Sequence, residues 1–212
     1  MKKRIEIIIM GIFVVGIVFG ASNSDIRATM STGDMLSLWG QTLSDFSKMD
    51  DNLSDIYAVG KTAIVYQKDI EQAMEFYKIS GMNEHDAREK AEKYVLEREA
   101  MYQKAMEAGY GVTEQEIYDY LNELKELMGS AENKEDIRKV IEQFDSEEEY
   151  WNYQFEVYKK NLPIQNYVQD LKKESLNVVQ KNGSANTEEE WMEKFEIVKE
   201  NAVMEQEYLI SK

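Results

Sequence analysis

Few residues in this 212-residue chain have types and spacing that could do chemistry. Gly60-Lys61-Thr62 has the ending of a phosphate-binding loop, in which backbone amides and a lysine cradle phosphate oxygens. The position five before Gly60 is Asp55, where such a loop needs glycine, and the residues between are not glycine-rich. The triplet therefore reads as a turn between two short strands. His85 is the single histidine, so a two-histidine metal site, a histidine-activated nucleophile and a helix-bundle di-iron site cannot be built within one chain. It stands between Glu84 and Asp86 in an exposed first helical turn. Asp50-Asp51-Asn52 lacks the Gly and the terminal Glu of a calcium loop. Acidic pairs such as Glu148 and Glu149 abound, but with 41 acidic residues chance proximity on helical surfaces is the default, and no acid–base pair stands out. No catalytic residue, metal ligand or cofactor is expected. The chain is instead rich in Met (12), Tyr (13) and Trp (3), whose flexible thioethers and amphipathic rings suit binding to varied apolar surfaces, although at helical spacing they also make ordinary core.

The elements that must position these residues read as long helices, because Gly is sparse and Pro occurs once, at Pro163. Ile56-Tyr57-Ala58-Val59 and Thr62-Ala63-Ile64-Val65 flank Gly60-Lys61 as a possible short strand pair. Ile70, Met74 and Tyr77 mark a helix that stops at Ser80-Gly81, and a second runs from Asn83 to Gly109 along Ala87, Ala91, Tyr94, Val95, Met101, Tyr102, Ala105 and Met106. Capping boxes at Thr113-Glu116, Ser146-Glu149 and Thr187-Glu190 each precede an apolar periodic run. The run after Ser146 carries Trp151, Phe155, Tyr158 and Leu162 to Pro163, where a kink or break is expected. It resumes through Ile164, Tyr167, Val168 and Leu171. In the last helix Trp191, Phe195, Val198 and Ala202 share a face, and residues 203–210 can finish as a short strand. The expected fold class is all-α, or mainly α: a long-helix domain with a possible strand pair. Its expected divisions are 1–22 as a signal peptide or signal-anchor, 23–54 as a polar tether containing a short amphipathic helix, 55–178 as the helical domain, 179–187 as a linker, and 188–212 as a helix returning to the domain.

The first of these divisions addresses the chain. Lys2, Lys3 and Arg4 precede an uninterrupted apolar run from Ile7 to Ala21, which as a helix spans about 22 Å, short of the ~30 Å hydrocarbon core of a bilayer. A secretory signal fits that length, with small residues at Gly20-Ala21-Ser22. Phe19 opposes cleavage after Ala21, and retention as an anchor through residues 5–21 stays open. Either way the positive end stays inside and the remainder is expected to be extracytoplasmic, secreted or membrane-anchored. Without Cys there is neither a disulfide framework nor a lipid attachment site. The formal net charge of −16 makes nucleic acid a poor partner and confines any membrane contact to the N-terminal segment.

One resemblance covers most of the exported part. Val59-Gly60-Lys61-Thr62-Ala63-Ile64 and Tyr66-Gln67-Lys68-Asp69-Ile70-Glu71-Gln72-Ala73 are followed by the long run Ala87 to Glu107. Ala108-Gly109-Tyr110-Gly111-Val112-Thr113-Glu114-Gln115-Glu116-Ile117 comes next. This order resembles the N-terminal chaperone domain of SurA/PrsA-type extracytoplasmic foldases, and Ser146-Glu147-Glu148-Glu149-Tyr150-Trp151 is similar to a helix start in that family. The resemblance spans about residues 55–178. It implies a helical cradle that binds unfolded or partly folded exported polypeptides in a bacterial cell envelope. The family's parvulin-type isomerase domain would fall at residues 178–186, too short for any domain, so prolyl isomerase activity is not expected.

For such a cradle the candidate polypeptide-binding residues are Met74, Tyr77, Met101, Tyr102, Tyr150, Trp151 and Tyr158. Three functions stay open: a holdase-like chaperone without isomerase activity, a membrane-tethered interaction or assembly subunit with one dedicated envelope partner, and an isomerase with an unrecognised site.

Overall fold

The computed structural model describes residues 31–49, 55–182 and 188–211. The signal segment, the Asp50-Asp51-Asn52 cluster and the Thr187 cap lie outside them. Among the described residues the fold is mainly α, with helices α1 Thr32–Ser47, α2 Gln67–Ile79, α3 Glu84–Glu107, α4 Glu114–Met128, α5 Lys134–Ile141, α6 Glu147–Asn182 and α7 Glu188–Gln206. Three short strands, β1 Ile56–Val59, β2 Ile64–Tyr66 and β3 Leu209–Ile210, complete it. No helix among the described residues is long and apolar enough to cross a membrane.

The helix ends follow local chemistry. Gly81 and Gly109 adopt φ of +98° and +86° just past α2 and α3. In both places paired amide-to-carbonyl bonds satisfy the last turn: Gly81 to Lys78 and Met82 to Tyr77, then Gly109 to Met106 and Tyr110 to Ala105. The Thr113–Glu116 capping box opens α4, and its bonds from the Thr113 amide and hydroxyl hold the Glu116 carboxyl below its usual range. At α6 only half of the expected box forms. The Glu149 amide donates to Ser146 Oγ at 3.1 Å, while the Glu149 carboxylate accepts from the Asp145 amide.

α3 is the central helix, packed against α2, α6 and α7. The sheet is antiparallel in the order β2-β1-β3. Its Ala58 and Val65 pack with Ile70, Ala73, Ala91 and Val95 of α2 and α3. The Gly60-Lys61-Thr62 turn is clipped to the end of α7. Gln206 Oε1 accepts from the amides of Thr62 (3.0 Å) and Ala63 (3.1 Å), and the Gln206 carbonyl accepts from the Lys61 amide (2.8 Å). A Cβ on Gly60 would lie 2.6 Å from that Oε1, so the glycine admits the clip, and the triplet is a structural turn.

Several expectations need correction. Residues 32–47 are no tether: α1 packs on α5 and α2, with Trp39 and Leu43 buried beside Val140, Phe144 and Tyr150. A Cβ on Gly40 would lie 2.6 Å from the Val140 carbonyl oxygen, so a bare backbone is what lets α1 cross α5 this closely. α5 itself was not anticipated. α6 runs unbroken through Pro163 and past the supposed linker start to Asn182. Asn161, Leu162, Pro163 and Ile164 are all buried there, and packing of that turn offsets the donor the proline lacks. α7 remains helical to Gln206, leaving only Leu209–Ile210 as strand.

Candidate functional site

A cleft of about 750 Å³ opens where α2, α3 and α6 meet the C-terminal end of α1. The β1–β2 hairpin positions its first wall. α2 starts directly after β2, which brings Lys68, Asp69 and Gln72 to the cleft from the first two turns of α2. α3 contributes Arg98 and Tyr102, and α6 contributes Tyr153, Val157 and Lys160. Phe46 and Met49 close the α1 side.

The floor is an ion network. Arg98 donates to Glu99 Oε1 from Nε (3.0 Å) and Nη2 (2.7 Å) and to Asp69 Oδ2 from Nη2 (3.0 Å), while Lys160 Nζ reaches both Glu99 oxygens at 3.0 and 2.9 Å. The Glu99 side chain is 3% exposed and that of Arg98 14%. Burial alone would lower the Arg98 pKa, but the Asp69 and Glu99 carboxylates outweigh it and hold the guanidinium charged well above its ordinary range. Beside the network Gln72 Nε2 donates to the Tyr153 hydroxyl at 3.0 Å. Burial pushes the Tyr153 phenol up, against the lowering effect of that bond. At the rim Lys68 donates to the Met49 carbonyl (3.0 Å) and Lys159 to Glu156 (2.7 Å). The lining thus alternates hydrogen-bonding and charged groups with the apolar surfaces of Phe46, Met49, Tyr102 and Val157.

A smaller hollow of about 320 Å³ lies between α4 and α6, lined by Tyr118, Leu121, Lys125 and Trp151 among others. Lys125 Nζ sits 4.7 Å above the Trp151 ring.

The sequence candidates scatter over these places. Tyr102 lines the large cleft and Trp151 the small hollow. Met74 and Tyr77 are half-buried against the sheet-side core. Met101, Tyr150 and Tyr158 must be withdrawn as binding residues, since they are 2%, 5% and 5% exposed and belong to the core. Sequence reasoning missed Asp69, Arg98, Glu99 and Lys160. One signal was present: Glu99 continues the i, i+4 stripe Ala87, Ala91, Val95, and a carboxylate on a buried stripe needs cations facing it. His85 is exposed in the first turn of α3, 3.6 Å from Glu89.

Compared with known proteins, the chain matches no family model, no curated protein and no solved structure.

Proposed function

We propose that the chain is an extracytoplasmic polypeptide-binding module of the holdase kind, without prolyl isomerase activity, that holds segments of unfolded exported chains in the cleft between α2, α3 and α6. The observation that carries this reading is the cleft. Its volume of about 750 Å³ falls within the ~300–1,000 Å³ range of ligand sites, and its lining offers both apolar surface and hydrogen-bonding groups for a peptide backbone. The resemblance of residues 55–178 to foldase chaperone domains supports it, as does an acidic surface that keeps a bound apolar chain in solution. The test is suppression of aggregation of an unfolded model protein at stoichiometric ratio, together with peptide binding by fluorescence anisotropy. The chain should suppress aggregation, and Tyr102→Glu, placing a charge in the cleft wall, should weaken peptide binding about tenfold. Neither suppression nor peptide binding would sink the proposal.

A second reading, an assembly subunit with one dedicated envelope partner, is favoured by the ion network. Charges fixed in place by Asp69, Arg98, Glu99 and Lys160 suit one complementary surface better than many. Crosslinking from Tyr102 in the envelope distinguishes the two: one product supports the dedicated partner, and many support the holdase.

A further inference from the structure

The sheet ends in two outer strands, β2, which leads directly into α2, and β3. β1 is the middle strand. Leu209 lies opposite Val59 and Ile210 opposite Ala58, and the Ser211 amide donates to the Tyr57 carbonyl at 2.8 Å. Because successive amides of a strand point to opposite sides, the Ile210 amide and carbonyl face away from β1. Leu209 is 76% and Ile210 56% exposed. Across the sheet Ile64, Val59 and Leu209 are paired neighbours, each more than two-fifths exposed, and so form one apolar row on the outer face. The strand has neither Pro nor charge within it, and its shortness, two residues, is what limits pairing along this edge. It is also held in place beforehand. Gln206 is clipped to the hairpin turn, and Glu207 makes the bend into the strand with φ of +49°.

We propose that the free edge of β3 is a docking site for an extended segment of another polypeptide, added as a fourth strand and separate from the cleft. The backbone groups of Ile210 require a strand-forming occupant. The row ending at Leu209 requires apolar side chains at alternate positions of that occupant. Glu205 and Glu207, just before the strand, are paired with Lys104 and Lys61, so it is the overall charge of −16 that favours a neutral or basic occupant. A second copy of this chain fits poorly. It would bring two strongly acidic bodies together.

The experiment uses the full chain and a fluorescent peptide of alternating Val and Thr with Lys at each end. A matched peptide has alternate backbone amides methylated, which removes its edge-facing donors while keeping its side chains. The first peptide should bind, and methylation should weaken it about tenfold or more. Ile210→Pro, which removes the outward amide at a place where an edge strand tolerates proline, should weaken binding similarly. If Ile210→Pro disturbs the fold, exchange of the Ile210 amide in the unsubstituted chain replaces it: added peptide should slow it about tenfold. Equal binding of both peptides, or an unprotected Ile210 amide, overturns the proposal. Binding lost only in Tyr102→Glu assigns the peptide to the cleft and overturns it as well. Dimerisation abolished by Ile210→Pro, without peptide binding, makes the occupant a second copy instead.

Discussion

At Glu99 a nearly buried carboxylate faces two cations, Arg98 and Lys160. Removing one partner of a buried ion pair leaves the other charge unpaired, at a cost of about 3–5 kcal/mol, whereas exposed pairs contribute about 0–1 kcal/mol. Glu99→Gln is therefore expected to lower the urea-unfolding free energy by about 3 kcal/mol. Lys48→Ala, which breaks the exposed Lys48–Asp145 pair at 3.0 Å, should change it by less than about 0.5 kcal/mol. Equal effects would show that the cleft floor is wetter than its burial implies. Glu99 also marks how far the site could be read in the chain. Its stripe was visible, but Asp69 and Lys160 look like ordinary surface charges until the fold brings α2 and α6 to α3.

Element by element, legibility followed local chemistry. α2, α3 and α4 were readable because glycine stops and capping residues mark their ends. α5 was not: eight residues are too few for a convincing period, and Asn133 makes no side-chain capping bond there. Equally hidden was the burial of α1, which depends on Gly40 meeting Val140 a hundred residues away. Two predictions belong here. Gly40→Ala pushes a methyl into the Val140 backbone, so α1 must lift from α5, at about 1–3 kcal/mol. Faster amide exchange along α1 than along α3 would register it. Gln206→Ala removes the acceptor of two backbone amides, and leaving such groups unpaired costs about 1–3 kcal/mol each when buried. The expected signature is a lower unfolding midpoint together with loss of protection at Thr62 and Ala63.

For the whole molecule, the buried phenols set an alkaline limit. Burial pushes Tyr94, Tyr150, Tyr153, Tyr158 and Tyr208 up, and raises Tyr77 to about 12. A folded-state value above the unfolded ~10 means that the unfolded chain loses its protons first. The stability from these residues is thus intact below pH about 10 and falls as pH rises above it, through about 12 for Tyr77 and higher still for the others. Tyrosinate absorbance should rise together with loss of far-UV ellipticity in one step; smooth titration near pH 10 with the helices intact would contradict the burial. Finally, the clip between Gln206 and the hairpin turn sets an order of events. β1 acquires its second neighbour, and the turn its acceptor, only from residues some 150 positions later in the chain. Closing so long a loop is entropically costly and slow. A chain made available from its N-terminus onward would therefore leave β1 and the hairpin turn without their C-terminal partners until residues 206–211 were present, so that completion of the sheet, not of the first helices, would be the last step of folding.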